Sequence, residues 1–250
     1  DYIDQAKQLF SSVYFNAGWK GDYMLLTYEI PEEKLVWFRE KGIGVKVCSG
    51  ITITKPHLAK FFLFTAEFKK WNTIVFLDAD IIVRYSLEKL TTIKGFYACR
   101  DTDKTLLGGQ FHVGESHEIL YQNLKTNFNL NTPAFNSGVM AFSTDMIEEG
   151  SFDVLNKLFV KYDAIRIYND QPTLNLYFYK KWRKLVSIYN TFIPSLSLSY
   201  HVTPYSIDGI CLHFTGSDKP WLPTNPFYAE WIANLKRADL INLNNRVIKD

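Results

Sequence analysis

The sequence predicts an α/β fold with a mostly parallel sheet flanked by helices. Three observations carry this. Strand-length apolar runs alternate with helix-like segments at short intervals. Proline and glycine punctuate the segments at the ends where helices start and stop, as at Pro31, Gly42 and Pro56. The run Ile74-Val-Phe-Leu77 is continuously hydrophobic, the pattern of a strand buried on both faces of a parallel sheet.

In chain order, Tyr2, Ala6, Leu9, Phe10 and Val13 share one face of a helix over Tyr2 to Phe15. Tyr23-Met-Leu-Leu-Thr27 reads as a strand, Pro31 opens a helix that Gly42 ends, and Gly44-Val-Lys-Val-Cys48 is the next strand. Pro56 starts a long helix to about Lys70, with Leu58, Phe61, Phe62, Leu63 and Phe68 largely apolar, and the strand ending at Leu77 follows. Beyond Val83 the spacing predicts strands over Phe96–Cys99 and Ser137–Phe142, and a helix within Glu115 to Phe128. It also predicts a helix over Gln171 to Trp182, with Asp170 at its cap and Pro172 in its first turn. Strands over Leu185–Ile188 and Ile210–Phe214 and a closing helix over Phe227 to Leu240 complete the reading. There is no repeat, low-complexity tract or clear linker, so residues 1–250 are expected to form one domain.

Composition narrows the classes. With 250 residues, 47% hydrophobic, the chain can bury a sizeable core. A net charge of +2 gives no strong attraction to nucleic acid or anionic membrane. No stretch reaches the roughly 18 consecutive apolar residues of a membrane helix, and no signal peptide is visible. Cys48, Cys99 and Cys211 lack metal-type spacing and sit in apolar contexts, as buried thiols do. No Asn-x-Ser/Thr acceptor site with a permitted middle residue is present. These features point to a reducing, cytoplasmic setting; a Golgi lumen is the alternative if an N-terminal anchor has been removed.

Charge placed inside apolar sequence carries the chemistry. Asp78-Ala79-Asp80 interrupts the apolar run Thr73–Val83. Unpaired buried carboxylates cost several kcal/mol or take up a proton, so a cation is needed. Along an extended chain, residues i and i+2 share a face, so both carboxylates can converge on one divalent ion at the carboxyl end of the strand, where open α/β sheets hold their ligands. Oxygen ligands suit Mg²⁺ or Mn²⁺; a strand followed by a solvated turn is the plainer reading. His213 ends another apolar run, and an imidazole beside two carboxylates favours Mn²⁺ over Mg²⁺. Gly216 allows close backbone approach to a ligand, and Lys219 is a compact cation suited to a phosphate oxygen. Asn136-Ser137-Gly138 can hydrogen-bond hydroxyls or simply turn the chain. Asp170-Gln171 can bind sugar hydroxyls or cap a helix. Lys60, inside an apolar segment, either reaches solvent or points at an anion.

Taken in order, Phe76-Leu-Asp-Ala-Asp80, Phe135-Asn-Ser-Gly-Val139, Asp170-Gln171 and His213-Phe-x-Gly-x-x-Lys-Pro-Trp221 resemble the conserved blocks of the glycogenin-like family-8 retaining glycosyltransferases. The resemblance covers nearly the whole chain. It implies a GT-A type, Rossmann-like single domain with a mixed, mostly parallel central sheet flanked by helices. It implies that Asp78, Asp80 and His213 ligate Mn²⁺ (Mg²⁺ as an alternative), with Ala79 between the aspartates at the donor. Gly216 and Lys219 would hold the pyrophosphate of a UDP-sugar, and Lys60 would contact the donor. Asp101, in Ala98-Cys-Arg-Asp101, would lie near the sugar, with Asn136, Ser137, Asp170 and Gln171 around its hydroxyls. Tyr2 resembles the tyrosine that stacks on uracil. Asp170, with Asp101 behind it, would serve as nucleophile or stabilising anion, and Lys219 would stabilise the leaving group.

The chain departs from the family in three places. The strand that precedes the position of Tyr2 in family members is not in this sequence. The spacing from Lys60 to Asp78 is slightly longer than in glycogenin. Phe192, in Tyr189-Asn-Thr-Phe-Ile-Pro194, stands where glycogenin carries its self-glucosylated tyrosine. The expected activity is therefore transfer of a hexose from a UDP-sugar to an acceptor hydroxyl other than its own, on a carbohydrate or glycoconjugate. Oligomeric state stays open, a dimer included. The rival readings are a non-catalytic nucleotide-sugar or glycan-binding protein and a haloacid-dehalogenase-type phosphatase. The phosphatase motif continues with Gly-Thr or Thr, where this chain has Ile81-Ile82.

Overall fold

The computed structural model describes residues 2–49, 56–112, 114, 117–193 and 203–244. In chain order the elements are α1 (Tyr2–Ser12), β1 (Met24–Thr27), α2 (Glu32–Glu40), β2 (Gly44–Val47), β3 (Thr73–Leu77), β4 (Ile81–Val83), β5 (Phe96–Arg100) and α3 (Glu118–Asn127). They continue with β6 (Phe135–Ser143), α4 (Ser151–Tyr162), α5 (Gln171–Tyr177), β7 (Trp182–Lys184), β8 (Thr191–Phe192), β9 (Cys211–His213) and α6 (Tyr228–Arg237). Of the strand pairs with a described register, β1–β2, β5–β7 and β8–β9 are parallel, and β4–β9 and β5–β6 antiparallel. The fold is α/β with mixed sheet pairing, as expected.

The chain forms two compact units: Asp1–Cys48, Leu77–Lys89 and Ser187–Asp250 make the first, Ser49–Phe76 and Leu90–Val186 the second. In the first unit β1 pairs with β2, and β4, β9 and β8 form a three-stranded sheet in that order. Its core includes Ile82, Leu212, Phe214, Phe227 and Trp231, each burial worth about 1.5–3 kcal/mol for a large apolar side chain. Ile3, Ala6, Leu9 and Phe10 form the buried face of α1. Tyr2, expected on that face, is 78% exposed. The α-helix stops at Ser12 and gives way to a π turn over Val13–Ala17 that ends at left-handed Gly18. Gly42 ends α2 as expected: its φ is +76°, and a Cβ there would meet Leu243 Cβ at 2.9 Å.

In the second unit the sheet order is β3-β6-β5-β7. Aromatic rings fill its core, with Phe96 stacked on Phe178 at 3.8 Å between centroids and Phe64 against Phe142 at 5.0 Å. A second cluster gathers Leu107, Phe111, Leu124, Tyr162, Ile165 and Leu176. Among the described residues β3 lies at the edge of this sheet, and all five of its residues are half-buried rather than buried on both faces.

Several expectations are corrected. The long helix from Pro56 is two 3₁₀ segments, Pro56–Phe64 and Ala66–Lys70. Leu58, Phe61 and Phe64 are buried at three-residue spacing, the period of a 3₁₀ helix, and extended Thr65 separates the segments, its hydroxyl donating to Phe62 O at 2.8 Å. The helix from Gln171 stops at Tyr177, not Trp182. Lys180 takes a left-handed φ of 59°, and Trp182 instead begins β7, paired with Phe96. The strand expected over Leu185–Ile188 is displaced to β7, and Ser187–Asn190 is a 3₁₀ turn. The closing helix is α6 followed by a 3₁₀ turn over Ala238–Leu240. Residues 115 and 116 of the expected Glu115–Phe128 helix, and Pro194, lie outside the described residues. The helix α4 and the strand β8 had no counterpart in the sequence reading.

Candidate active site

The antiparallel register of β4 on β9 pairs Ile81 with His213. The next bond, Phe214 N–H to Asp80 O at 3.2 Å, continues that ladder past Asp80. Strand pairing thus brings the histidine to the aspartates. One ligand atom from each of Asp78, Asp80 and His213 lies within 4.8 Å of the others. Asp80 Oδ1 is 3.3 Å from His213 Nε2, and Asp80 Oδ2 is 2.7 Å from Lys219 Nζ. Lys219 also donates to Phe214 O. Gly216 is half-buried in the turn between His213 and Lys219. Burial alone would raise the Asp80 carboxyl, but hydrogen bonding and charge from His213 and Lys219 outweigh it and hold the group below the usual carboxylate range.

Asn190, which the sequence reading passed over, completes this cluster. It is 0% exposed, and its Oδ1 lies 2.9 Å from His213 Nδ1. An amide oxygen only accepts, so Nδ1 donates to it, and Nε2 is the nitrogen that faces Asp80 and would ligate an ion. Two carboxylates and an oriented imidazole are a donor set that fits a divalent cation. Carboxylates held ionised, as Asp80 is, are the form that binds it.

The second unit brings together Lys60, Asp101, Asn136, Ser137, Asp170 and Gln171 in one buried polar network. Lys60 Nζ lies 3.0 Å from Asp170 Oδ2 and donates to Ser137 Oγ at 3.3 Å. The Ser137 hydroxyl donates to Asp170 Oδ2 at 2.8 Å. Gln171 links the rest: its Oε1 accepts from Asn136 Nδ2 at 3.0 Å and Ser137 N at 3.1 Å, and its Nε2 donates to Asp101 Oδ2 at 2.7 Å. Lys60 therefore points at an anion, and its ammonium also lies 5.2 Å from the centre of the Phe76 ring. Asp170 occupies the N-cap position of α5 but makes no side-chain capping bond; its carboxylate serves the ion pair instead. Burial pushes the Asp101 carboxyl above its ordinary value, and hydrogen bonds from Asp103 N and Gln171 only partly offset it.

Two further residues join this network. Gln110 is fully buried at the end of the 3₁₀ turn Leu107–Gln110 and donates to Asp101 Oδ2 at 3.4 Å. Asn175, one turn after Gln171, fixes α5 to the start of β6 by exchanging 2.8 Å hydrogen bonds with Phe135 N and O. A polar residue in the apolar run Leu174-Asn-Leu176 was a readable signal for Asn175; Gln110 and Asn190 lacked one. Tyr2 makes no contact with either cluster among the hydrogen bonds and ring pairs described, and it stands exposed at the start of α1. The three cysteines are buried and form no disulfide, and burial pushes the Cys99 thiol up to about 12, so it is no nucleophile at neutral pH. No described helix is long and apolar enough to cross a membrane.

Comparison with known proteins places this arrangement. The model of glycosyl transferase family 8 matches residues 31–225. The probable glycosyl transferase Gly of Streptococcus gordonii is 24% identical over 165 residues, covering 63% of this chain and 21% of its own length, so the chain spans about a fifth of that relative. Among solved structures, the galactosyltransferase LgtC, in complex with donor and acceptor sugar analogues, has a TM-score of 0.68 at 17% identity, over 94% of this chain and 92% of LgtC. The bifunctional glycosyltransferase WbbM scores 0.67 at 19% identity, over 94% of this chain and 47% of its own. GlyE of Streptococcus pneumoniae scores 0.64 at 20% identity, over 94% and 58%. At these identities the structures establish a shared GT-A fold. The family match covers most of the sequence, including every residue of the Asp-Asp-His cluster and of the buried polar network, and the chain belongs to glycosyl transferase family 8.

Proposed function

We propose that this chain transfers a hexose from a UDP-sugar to a hydroxyl of a carbohydrate or glycoconjugate acceptor, with retained configuration and dependence on Mn²⁺. Both units belong, in this reading, to one catalytic domain over residues 1–250. The Asp78-Asp80-His213 cluster is the observation that carries it. A bound Mn²⁺ (or Mg²⁺) would supply positive charge to a departing diphosphate. Asp78, Asp80 and His213 would hold that ion, and Gly216 and Lys219 would bind the diphosphate oxygens. The ammonium of Lys219 is preorganised on Asp80 and the Phe214 carbonyl, so it meets developing charge without reorganising first.

The polar network would hold the sugar. Lys60 pairs with Asp170 at 3.0 Å and holds its carboxylate in place, where it would act as a nucleophile or as an anion that stabilises an oxocarbenium-like centre. Asn136, Ser137 and Gln171 are mutually fixed and would orient sugar hydroxyls, with Asp101 beside them. Phe192 replaces the self-acceptor tyrosine, so the receiving hydroxyl belongs to another molecule. Three buried cysteines held as thiols support a cytoplasmic setting.

The test is UDP release from a panel of UDP-sugars with and without Mn²⁺. Replacing both Asp78 and Asp80 with Asn should lower the rate by at least about 100-fold, in the range seen when electrostatic catalytic groups are removed. Lys219→Ala should lower turnover far more than Lys34→Ala, on the exposed face of α2. Wild-type rates from the doubly substituted protein would refute the metal role.

A further inference from the structure

The polar network of the second unit carries more negative than positive charge. Four carboxylates lie in it or at its rim: Asp101, Asp103, Asp163 and Asp170. Three cations accompany them, each engaged by a carboxylate: Lys60 on Asp170 at 3.0 Å, Lys104 on Asp103 at 3.8 Å, and Arg166 on Asp163. Arg166 further donates to the carbonyls of Tyr168 and Asn169, just ahead of Asp170, and Tyr168 donates its hydroxyl to Asp103. Asp101 stands outside these pairs. Its oxygens accept from the neutral donors Gln171 Nε2, Gln110 Nε2 and Asp103 N. Such dipoles stabilise one carboxylate but leave its charge in place for any second one brought near.

A second observation concerns hydrogen-bond inventory. Gln110 is 0% exposed and its Oε1 has no hydrogen-bond partner. A buried acceptor left alone is costly, so this network lacks a donor. A sugar hydroxyl donates; an ionised carboxylate only accepts. Ring hydroxyls that can donate are common to hexoses and uronates, so discrimination between the two rests on charge.

Resting on the glycosyl-donor reading, we infer that the sugar received by this network is a neutral hexose or N-acetylhexosamine, and that uronic acids are rejected because a carboxylate at C6 would meet the uncompensated Asp101. Calorimetric titration of the Mn²⁺-loaded protein at pH 7.5 tests this with UDP, UDP-glucose, UDP-galactose, UDP-N-acetylglucosamine, UDP-glucuronate and UDP-galacturonate. Each uronate should bind at least about tenfold more weakly than its hydroxymethyl counterpart, equivalent to about 1.4 kcal/mol. In Asp101→Asn the gap should narrow. Uronates within tenfold of their counterparts in wild type overturn the inference and leave the donor reading standing. An unchanged gap in a folded Asp101→Asn protein removes Asp101 as its source, and the wild-type comparison holds whether or not that variant folds. Failure of UDP itself to bind the Mn²⁺-loaded protein removes the donor reading, and the inference with it.

Discussion

At the scale of single residues, one neutral amide decides whether His213 can serve as a ligand. With Asn190 Oδ1 at 2.9 Å from Nδ1 and Nε2 at 3.3 Å from Asp80, the imidazole is held with Nδ1 donating to the amide and Nε2 turned to the aspartates. Truncation to Ala frees the ring to rotate and to change tautomer. Asn190→Ala should therefore weaken Mn²⁺ binding about 10- to 100-fold, the usual cost of losing a ligand-orienting partner, read by calorimetry with the metal alone. Asn190→Asp, which keeps the acceptor, should retain most of the affinity. Equal affinity in wild type and the Ala variant would remove the orienting role. The same contrast explains what the sequence made legible. Asp78, Asp80, His213 and Lys60 stand out because charge within apolar sequence demands a partner. Asn190 and Gln110 do not, because an uncharged amide in a turn raises no such demand until its burial is known. Asp170 was legible as important but ambiguous in role; only the missing capping bond and the 3.0 Å contact to Lys60 separate an ion-paired carboxylate from a helix cap.

At the scale of elements, β4 follows Asp80 directly, so what fixes β4 also fixes the carboxylate. One side of β4 pairs with β9; at Val83 the remaining main-chain groups are met by side chains at the end of α1 and in the turn after it. Val83 N donates to Ser12 Oγ at 3.1 Å, and Asn16 Nδ2 donates to Val83 O at 2.7 Å. Ser11, the neighbour of Ser12, is equally buried, but its hydroxyl has no partner. The two serines should therefore respond oppositely. Ser12→Ala leaves a buried N–H unpaired and should destabilise the protein by about 1–3 kcal/mol, whereas Ser11→Ala removes an unsatisfied hydroxyl and should be neutral or stabilising. Urea denaturation of the two variants checks this, and equal losses would contradict it. Element existence was largely readable here, and element type less so. Apolar spacing located the segment from Pro56 but not its 3₁₀ geometry, because six of its nine residues are buried and no single helical period stands out. The stop after Tyr177 rests on a left-handed lysine, which no residue-type preference announces. In α4, Leu155, Phe159 and Tyr162 do carry helical spacing, but Gly150 precedes the helix with no capping side chain to mark its start.

At the scale of the whole molecule, two site carboxylates with opposite shifts shape how stability depends on pH. Asp80 is held below its ordinary value by His213 and Lys219. Its contribution is present above the unfolded carboxylate value of about 3.9 and is lost as pH falls through the lowered native value. Asp101 is raised, chiefly by burial. Between the unfolded value and its raised native value, the folded chain binds more protons than the unfolded chain, so this group makes stability fall as pH rises. Asp101→Asn abolishes that titration. The stability of the variant relative to wild type should then climb as pH rises from about 4 and level off once wild-type Asp101 is fully ionised, measured by urea unfolding in EDTA at steps from pH 3 to 8. The neutral amide lacks one acceptor oxygen, so the difference can start below zero; its slope carries the prediction. A difference that does not change with pH would show that Asp101 titrates alike in the folded and unfolded chain. A rising difference would show that ionising Asp101 at its buried position costs the fold stability as pH rises.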